Sequence, residues 1–143
     1  MNTTTIQLNP YLSFNGTCEA AFKLYAQCLG GRIEFIMTYE SKPEEYPVPA
    51  EWRQKILHAT LRVGDQILMG ADSLPDRYHT PQGFRLTLGL KDQADAERIF
   101  QALAENGTVE MALQETFWAV RFGALVDRFG IPWTINCERA ASS

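Results

Sequence analysis

Apolar residues along this chain keep two periods, and the order of the periods is repeated. Around Tyr11-Leu12-Ser13-Phe14-Asn15 apolar and polar positions alternate, which is the spacing of a half-buried strand. From Cys18 the spacing becomes helical, with Cys18, Phe22, Tyr25 and Leu29 on one face of a segment that ends at Gly30-Gly31. An extended stretch, Arg32–Glu40, follows. The succession returns as Phe84–Leu90, a helix over Gln93–Asn106 with the stripe Ala96, Ile99, Phe100 and Leu103, then Gly107 and Thr108–Glu115. Two further apolar segments follow each copy, 56–63 and 66–72 after the first, 117–126 and 131–138 after the second. A unit repeated in this way predicts two βαβββ modules, about 8–73 and about 83–139, within a single domain of residues 1–143. The fold class is α+β, with strongly curved mixed sheets forming a cup and the helices outside it.

The connections sharpen this picture. Thr17 can accept a hydrogen bond from a free helix N–H, Glu19 suits the positive end of the helix, and Asp92 caps the second helix. Gly30 or Gly31 can take the left-handed conformation that stops the first helix. Gly64-Asp65 turns one hairpin, and Asp127-Arg128-Phe129-Gly130 reads as another turn, with Gly130 at positive φ. Residues 41–55 hold Pro43, Pro47 and Pro49 among Glu44, Glu45 and Glu51, so no regular element is expected there. The second copy has almost nothing at the matching join. A solvated connector is the ordinary reading of such an insertion. A lid is the functional one, since Tyr46 and Trp52 are apolar cargo that a connector does not need.

Alternation also sorts the strand faces. Leu57, Ala59, Leu61 and Val63 share one face, while His58, Thr60 and Arg62 share the other. Trp133, Ile135 and Cys137 alternate with Thr134, Asn136 and Glu138. If the apolar faces cover the helices, the polar faces look to water or into a cavity. His58 is then the residue of most interest, as ligand donor or as general acid/base, against a structural histidine bonded to a backbone carbonyl. Arg62, Arg85 and Arg121 are ordinary surface or ion-pair arginines. If Arg85 faces the cup, its fork favours an anionic ligand. Trp118 and Trp133 suit a core or an interface, and Cys18 lies in an apolar stripe as an inert thiol.

Composition narrows the classes. The 143 residues are 45% apolar and 21% charged, enough to bury a core. The net charge of −4 and the lack of a basic run argue against nucleic acid as partner. No apolar run is as long as a membrane span, and no signal peptide is apparent. Three cysteines without CxxC spacing (Cys18, Cys28 and Cys137) fit a reduced, cytoplasmic protein.

Several segments together carry a resemblance. They are Pro10-Tyr11-Leu12-Ser13-Phe14-Asn15-Gly16 with Glu19-Ala20-Ala21, then His58-Ala59 leading to Met69, then Asp127-Arg128-Phe129-Gly130 with Trp133. In order and spacing, over most of residues 10–138, the chain resembles the vicinal oxygen chelate superfamily of glyoxalases, bleomycin-resistance proteins and dioxygenases, and within it the PhnB-like branch. Some members of that branch carry the label of a demethylubiquinone methyltransferase. This sequence has no Gly-rich strand-to-helix turn that would bind S-adenosylmethionine.

The resemblance implies a metal in the cup, held by His and Glu on the first and last strand of each module. The matching positions fall near Pro10 and at Arg85 and Thr134. None of these supplies an imidazole, thiolate or carboxylate, so the usual metal site reads as dismantled and no cofactor is expected. A replacement built from His58, Asp72 and Glu138 would need a different geometry. The leading expectation is therefore metal-independent binding of a small organic ligand in the cup of a homodimer, with Tyr11, Ser13, Thr60, Arg85 and Thr134 around His58, whether or not catalysis follows. The alternatives are a metal-dependent lyase or dioxygenase of the superfamily, and a structural dimeric partner with a vestigial site.

Overall fold

The computed structural model describes residues 5–139, and the chain divides into two units, 1–78 and 79–143. Unit 1 runs β1 (Tyr11–Phe14), α1 (Cys18–Leu29), β2 (Arg32–Thr38), β3 (Ile56–Val63) and β4 (Gln66–Asp72). Unit 2 runs β5 (Leu86–Leu90), α2 (Gln93–Ala104), β6 (Thr108–Gln114), β7 (Ala119–Val126) and β8 (Pro132–Glu138). Each unit is a four-stranded mixed sheet, ordered β1-β4-β3-β2 and β5-β8-β7-β6, with its first strand parallel to its last. The fold class is the α+β pair of βαβββ modules that the periodicity predicts.

The helices cover one face of each sheet because their apolar residues recur at helical spacing. In α1 the buried residues are Cys18, Ala21, Phe22, Tyr25 and Cys28, with Leu29 only half-buried. Phe22 meets Phe14 edge to face at 6.0 Å between ring centroids and packs against Gly70, where a Cβ would come within 2.9 Å of its ring. In α2 the predicted stripe of Ala96, Ile99, Phe100 and Leu103 is buried as a whole.

The helix ends echo one another with different residues. Gly30 takes the left-handed conformation after α1 (φ 70°), and Asn106 takes it after α2 (φ 60°), not Gly107. The following residue needs to be glycine for another reason. A Cβ on Gly31 would lie 2.6 Å from the Arg62 carbonyl oxygen, and one on Gly107 would lie 2.4 Å from that of Val126. The predicted cap of α2 holds, with Ala94 N–H donating to Asp92 Oδ1 at 2.8 Å. The predicted cap of α1 does not. Thr17 makes no side-chain cap bond, and Cys18 N–H donates instead to Asp72 Oδ1 at 2.9 Å, from the end of β4.

The 127–130 turn is held by one carboxylate. Asp127 Oδ1 accepts from Phe129 N–H and Ile131 N–H, and Oδ2 accepts from the indole N–H of Trp133 at 2.9 Å. Gly130 has φ 90°, and Trp133 is a core residue.

Candidate functional site

The site begins with a break in the alternation of β3. Met37 pairs with His58, but Thr38 pairs with Ile56, so Leu57 is an extra residue in the ladder. The bulge moves the core position from Leu57 to Ile56, which is 2% exposed, while Leu57 is half-buried. Beyond the bulge the predicted alternation holds. Ala59 and Leu61 are fully buried, and His58 and Thr60 lie on the other face.

That face gathers four of the predicted residues. The His58 ring lies 5.8 Å from Tyr11 and 5.9 Å from Phe35 between centroids. Its Nε2 shares a hydrogen bond with Thr60 Oγ1 at 3.0 Å, so its partner is a neighbouring side chain and not a backbone carbonyl. Tyr11, Ser13 and His58 line a cavity of about 890 Å³ within unit 1, together with Met37, Tyr39 and Ala71. Its other wall comes from the 42–48 segment, including Lys42, Glu45 and Tyr46, and from Leu74 and Arg77. This volume suits a drug-sized organic molecule.

The insertion is built from both ends. Tyr39 N–H donates to the Lys55 carbonyl and Glu40 N–H to that of Arg53, and 3₁₀ turns at Tyr39–Ser41 and Ala50–Trp52 bracket the middle. These short elements were not expected from the sequence. Tyr46 lines the cavity, whereas Trp52 packs beside Gly16 at the start of α1, with the Lys55 ammonium over its ring.

Asp72 closes one end of the cavity and is 1% exposed. Its Oδ2 accepts from Ile56 N–H at 2.8 Å, and its carbonyl accepts from the Tyr39 hydroxyl at 2.6 Å. Burial pushes its carboxyl above the usual range, against the pull of the Ile56, Cys18 and Gly16 N–H groups and of Lys55. Burial also pushes the Cys18 thiol far up, helped by the neighbouring Asp72 charge, consistent with an inert core thiol. The sequence reading placed Asp72 only among possible metal donors. Its tying of α1, β3 and Tyr39 together had one signal, an acid at the end of an otherwise apolar strand.

Arg85 and Thr134 lie in unit 2. The Arg85 guanidinium pairs with Glu110 and donates to the Trp133 carbonyl at 3.3 Å. Thr134 is buried in β8, opposite Thr87 and Ala124.

A family model described as 3-demethylubiquinone-9 3-methyltransferase matches residues 6–136. The protein YjdN of Escherichia coli is 36% identical over 137 residues, covering 90% of this chain and 93% of YjdN. The chain belongs to the family described as 3-demethylubiquinone-9 3-methyltransferase. A crystal structure of protein PA1353 from Pseudomonas aeruginosa is 44% identical and superposes with a TM-score of 0.86, covering 95% of this chain and all of PA1353. The bleomycin-binding protein of Streptomyces verticillus, complexed with copper(II)-bleomycin, shares the fold at 16% identity and a TM-score of 0.59, over 96% of this chain and 100% of its own.

The metal that the resemblance to the vicinal oxygen chelate superfamily implies does not fit the residues present. At the matching positions Arg85 brings a positive charge already paired with Glu110, and Thr134 brings only a hydroxyl. Among the described residues no group of three or more His, Cys, Asp or Glu side chains is placed to hold an ion. His58, Asp72 and Glu138 form no such group, and each Asp72 oxygen already accepts from a backbone N–H. The strand-to-helix turns are Asn15-Gly16-Thr17 and Lys91-Asp92, without the glycine pattern of a nucleotide-type cofactor loop. No helix among the described residues is long and apolar enough to cross a membrane.

Proposed function

We propose that this PhnB-like protein binds a small organic molecule, without a metal ion, on the sheet face of unit 1 that carries His58. The observation behind this reading is the cavity of about 890 Å³ whose floor brings Tyr11, Ser13 and His58 together. An imidazole offers one donor and one acceptor, and a hydroxyl offers both, so the floor can orient a carbonyl or an acid group. The wall of apolar and aromatic side chains supplies the area that such a ligand buries. The bleomycin-binding protein, complexed with a small molecule on the same fold, supports the class of function and not the ligand.

Arg85, held by Glu110, contributes less to an anion than a free guanidinium would. If a reaction follows binding, His58 is the acid/base group. The working form in this proposal is a homodimer. Exposed apolar side chains in unit 2, such as Phe117 at 89% and Trp118 at 47%, are the kind of surface that a second copy covers. Three buried cysteines, Cys18, Cys28 and Cys137, suit a reducing, cytoplasmic setting.

The test is a thermal-shift screen of small organic molecules in the presence of a chelator, with hits mapped by amide chemical shifts. Hits that move Tyr11, Ser13 and His58 support the proposal. Hits that bind only when a metal is added back refute the metal-free part of it.

A further inference from the structure

The cavity of unit 1 has a chemical character beyond its floor. Three tyrosines surround it. The Tyr39 hydroxyl is spent on the Asp72 carbonyl at 2.6 Å, so Tyr39 offers the cavity its ring. Tyr11 and Tyr46 stand half open at 52% and 48% exposure. Burial raises the Tyr11 phenol above its usual range, which keeps it a donor.

Lys42 and Arg77 are the cations of the wall, and Glu45 and Asp72 its acids. Asp72 is 1% exposed and accepts from the N–H groups of Cys18 and Ile56, and burial shifts its carboxyl toward the neutral form. That leaves Glu45 as the exposed acid beside two cations. Arg32, Arg62, Arg85, Arg98, Arg121 and Arg139 each lie beside a carboxylate. Among the described residues neither Lys42 nor Arg77 takes part in such a pair.

We propose that the ligand is an aromatic acid, its ring packed among Tyr11, Tyr39 and Tyr46 and its carboxylate held by Arg77 and Lys42. This rests on the cavity being the binding site and names the class of molecule it takes. Aromatic rings stack or meet edge to face at low entropic cost, which selects a planar ligand. A guanidinium fork matches a carboxylate bidentately, and Lys42 adds a second charge at the same rim. Tyrosines around Glu45 could instead cage an organic ammonium by cation–π attraction, but the two uncommitted cations repel it.

Three probes of one shape separate these outcomes: naphthoate, naphthamide and naphthyl trimethylammonium. Each is titrated by calorimetry at low salt, with amide shifts recorded in parallel. Naphthoate is expected to bind about tenfold or more tighter than naphthamide, the worth of a charge-assisted hydrogen bond, and to move the amides of Tyr11, Ser73 and Arg77. The double variant Lys42→Gln/Arg77→Gln should erase that preference by weakening naphthoate far more than naphthamide, while Arg53→Gln, a cation outside the cavity, should preserve it. Added salt should narrow the gap.

Equal affinity for acid and amide, or tightest binding of the ammonium, overturns the aromatic-acid class while leaving the cavity as a binding site. Failure of all three probes also overturns it. The cavity reading itself falls if the wider thermal-shift screen yields no ligand that moves the His58 face.

Discussion

Two side chains separate what the sequence makes visible from what it hides. His58 is visible, because alternation in a half-buried strand puts a polar residue opposite Ala59 and Leu61, and the face it occupies is the one predicted. The role of Asp72 is hidden, because its partners Cys18 and Ile56 lie 54 and 16 residues away along the chain. Asp72→Ala leaves two or more backbone N–H groups buried and unpaired, and should lower stability by about 2–5 kcal/mol in urea unfolding. Asp72→Asn, which keeps one acceptor, should cost less. The folded carboxyl titrates above the unfolded one, so the stability tied to its protonated form is complete below the usual carboxylate range and is lost as pH rises through the folded value. The cost of Asp72→Asn relative to wild type should therefore be greatest in acid and shrink over the pH interval above the usual carboxylate range. A cost that grows over that interval would show that the N–H groups outweigh burial.

At the scale of elements, periodicity located both helices and all eight strands, and the misses fall where a local rule gave way to a distant contact. Phe84 and Arg85 were expected inside β5, which begins at Leu86. The bulge at Leu57 takes that residue out of the apolar face that simple alternation gives it and puts Ile56 in the core. Bulges elsewhere are repeated features of the design. Glu34 is the extra residue of β2 and Glu110 that of β6, and the first pairs with Arg62 and Arg32, the second with Arg85. The 41–55 insertion, expected to be irregular throughout, is anchored at 50–55 and at 39–41, with a turn bond from Tyr46 N–H to the Lys42 carbonyl between them. Hydrogen exchange should accordingly be fast at Glu44, Glu45 and Val48 in the ligand-free protein and slow on ligand binding, while Lys55 stays protected throughout. Protection at Glu44 to Val48 equal to that of β3 without ligand would contradict a lid that closes on binding.

For the whole molecule, the repeated unit was legible because helix and strand periods are local properties, and the resemblance to the superfamily rested on the order of the segments. The contents of the site were less so. Lys42 reaches the cavity from the 41–55 insertion, Tyr39 from just before it and Arg77 from the stretch between β4 and β5. Two expectations belong to this scale. Treatment with a chelator should leave the melting temperature unchanged, and stoichiometric zinc, nickel or iron with a marked drop on chelation would contradict metal-free binding. Light scattering should give the mass of a dimer, and a monomer at every concentration would remove the second copy. The most direct measurement is a calorimetric titration of wild type and His58→Ala with one ligand from the screen. The variant should fold with an unchanged thermal midpoint and bind about 1–3 kcal/mol more weakly, the cost of a lost hydrogen bond at a buried polar group. Equal affinities in the two proteins would take His58 out of the site and contradict the proposed function.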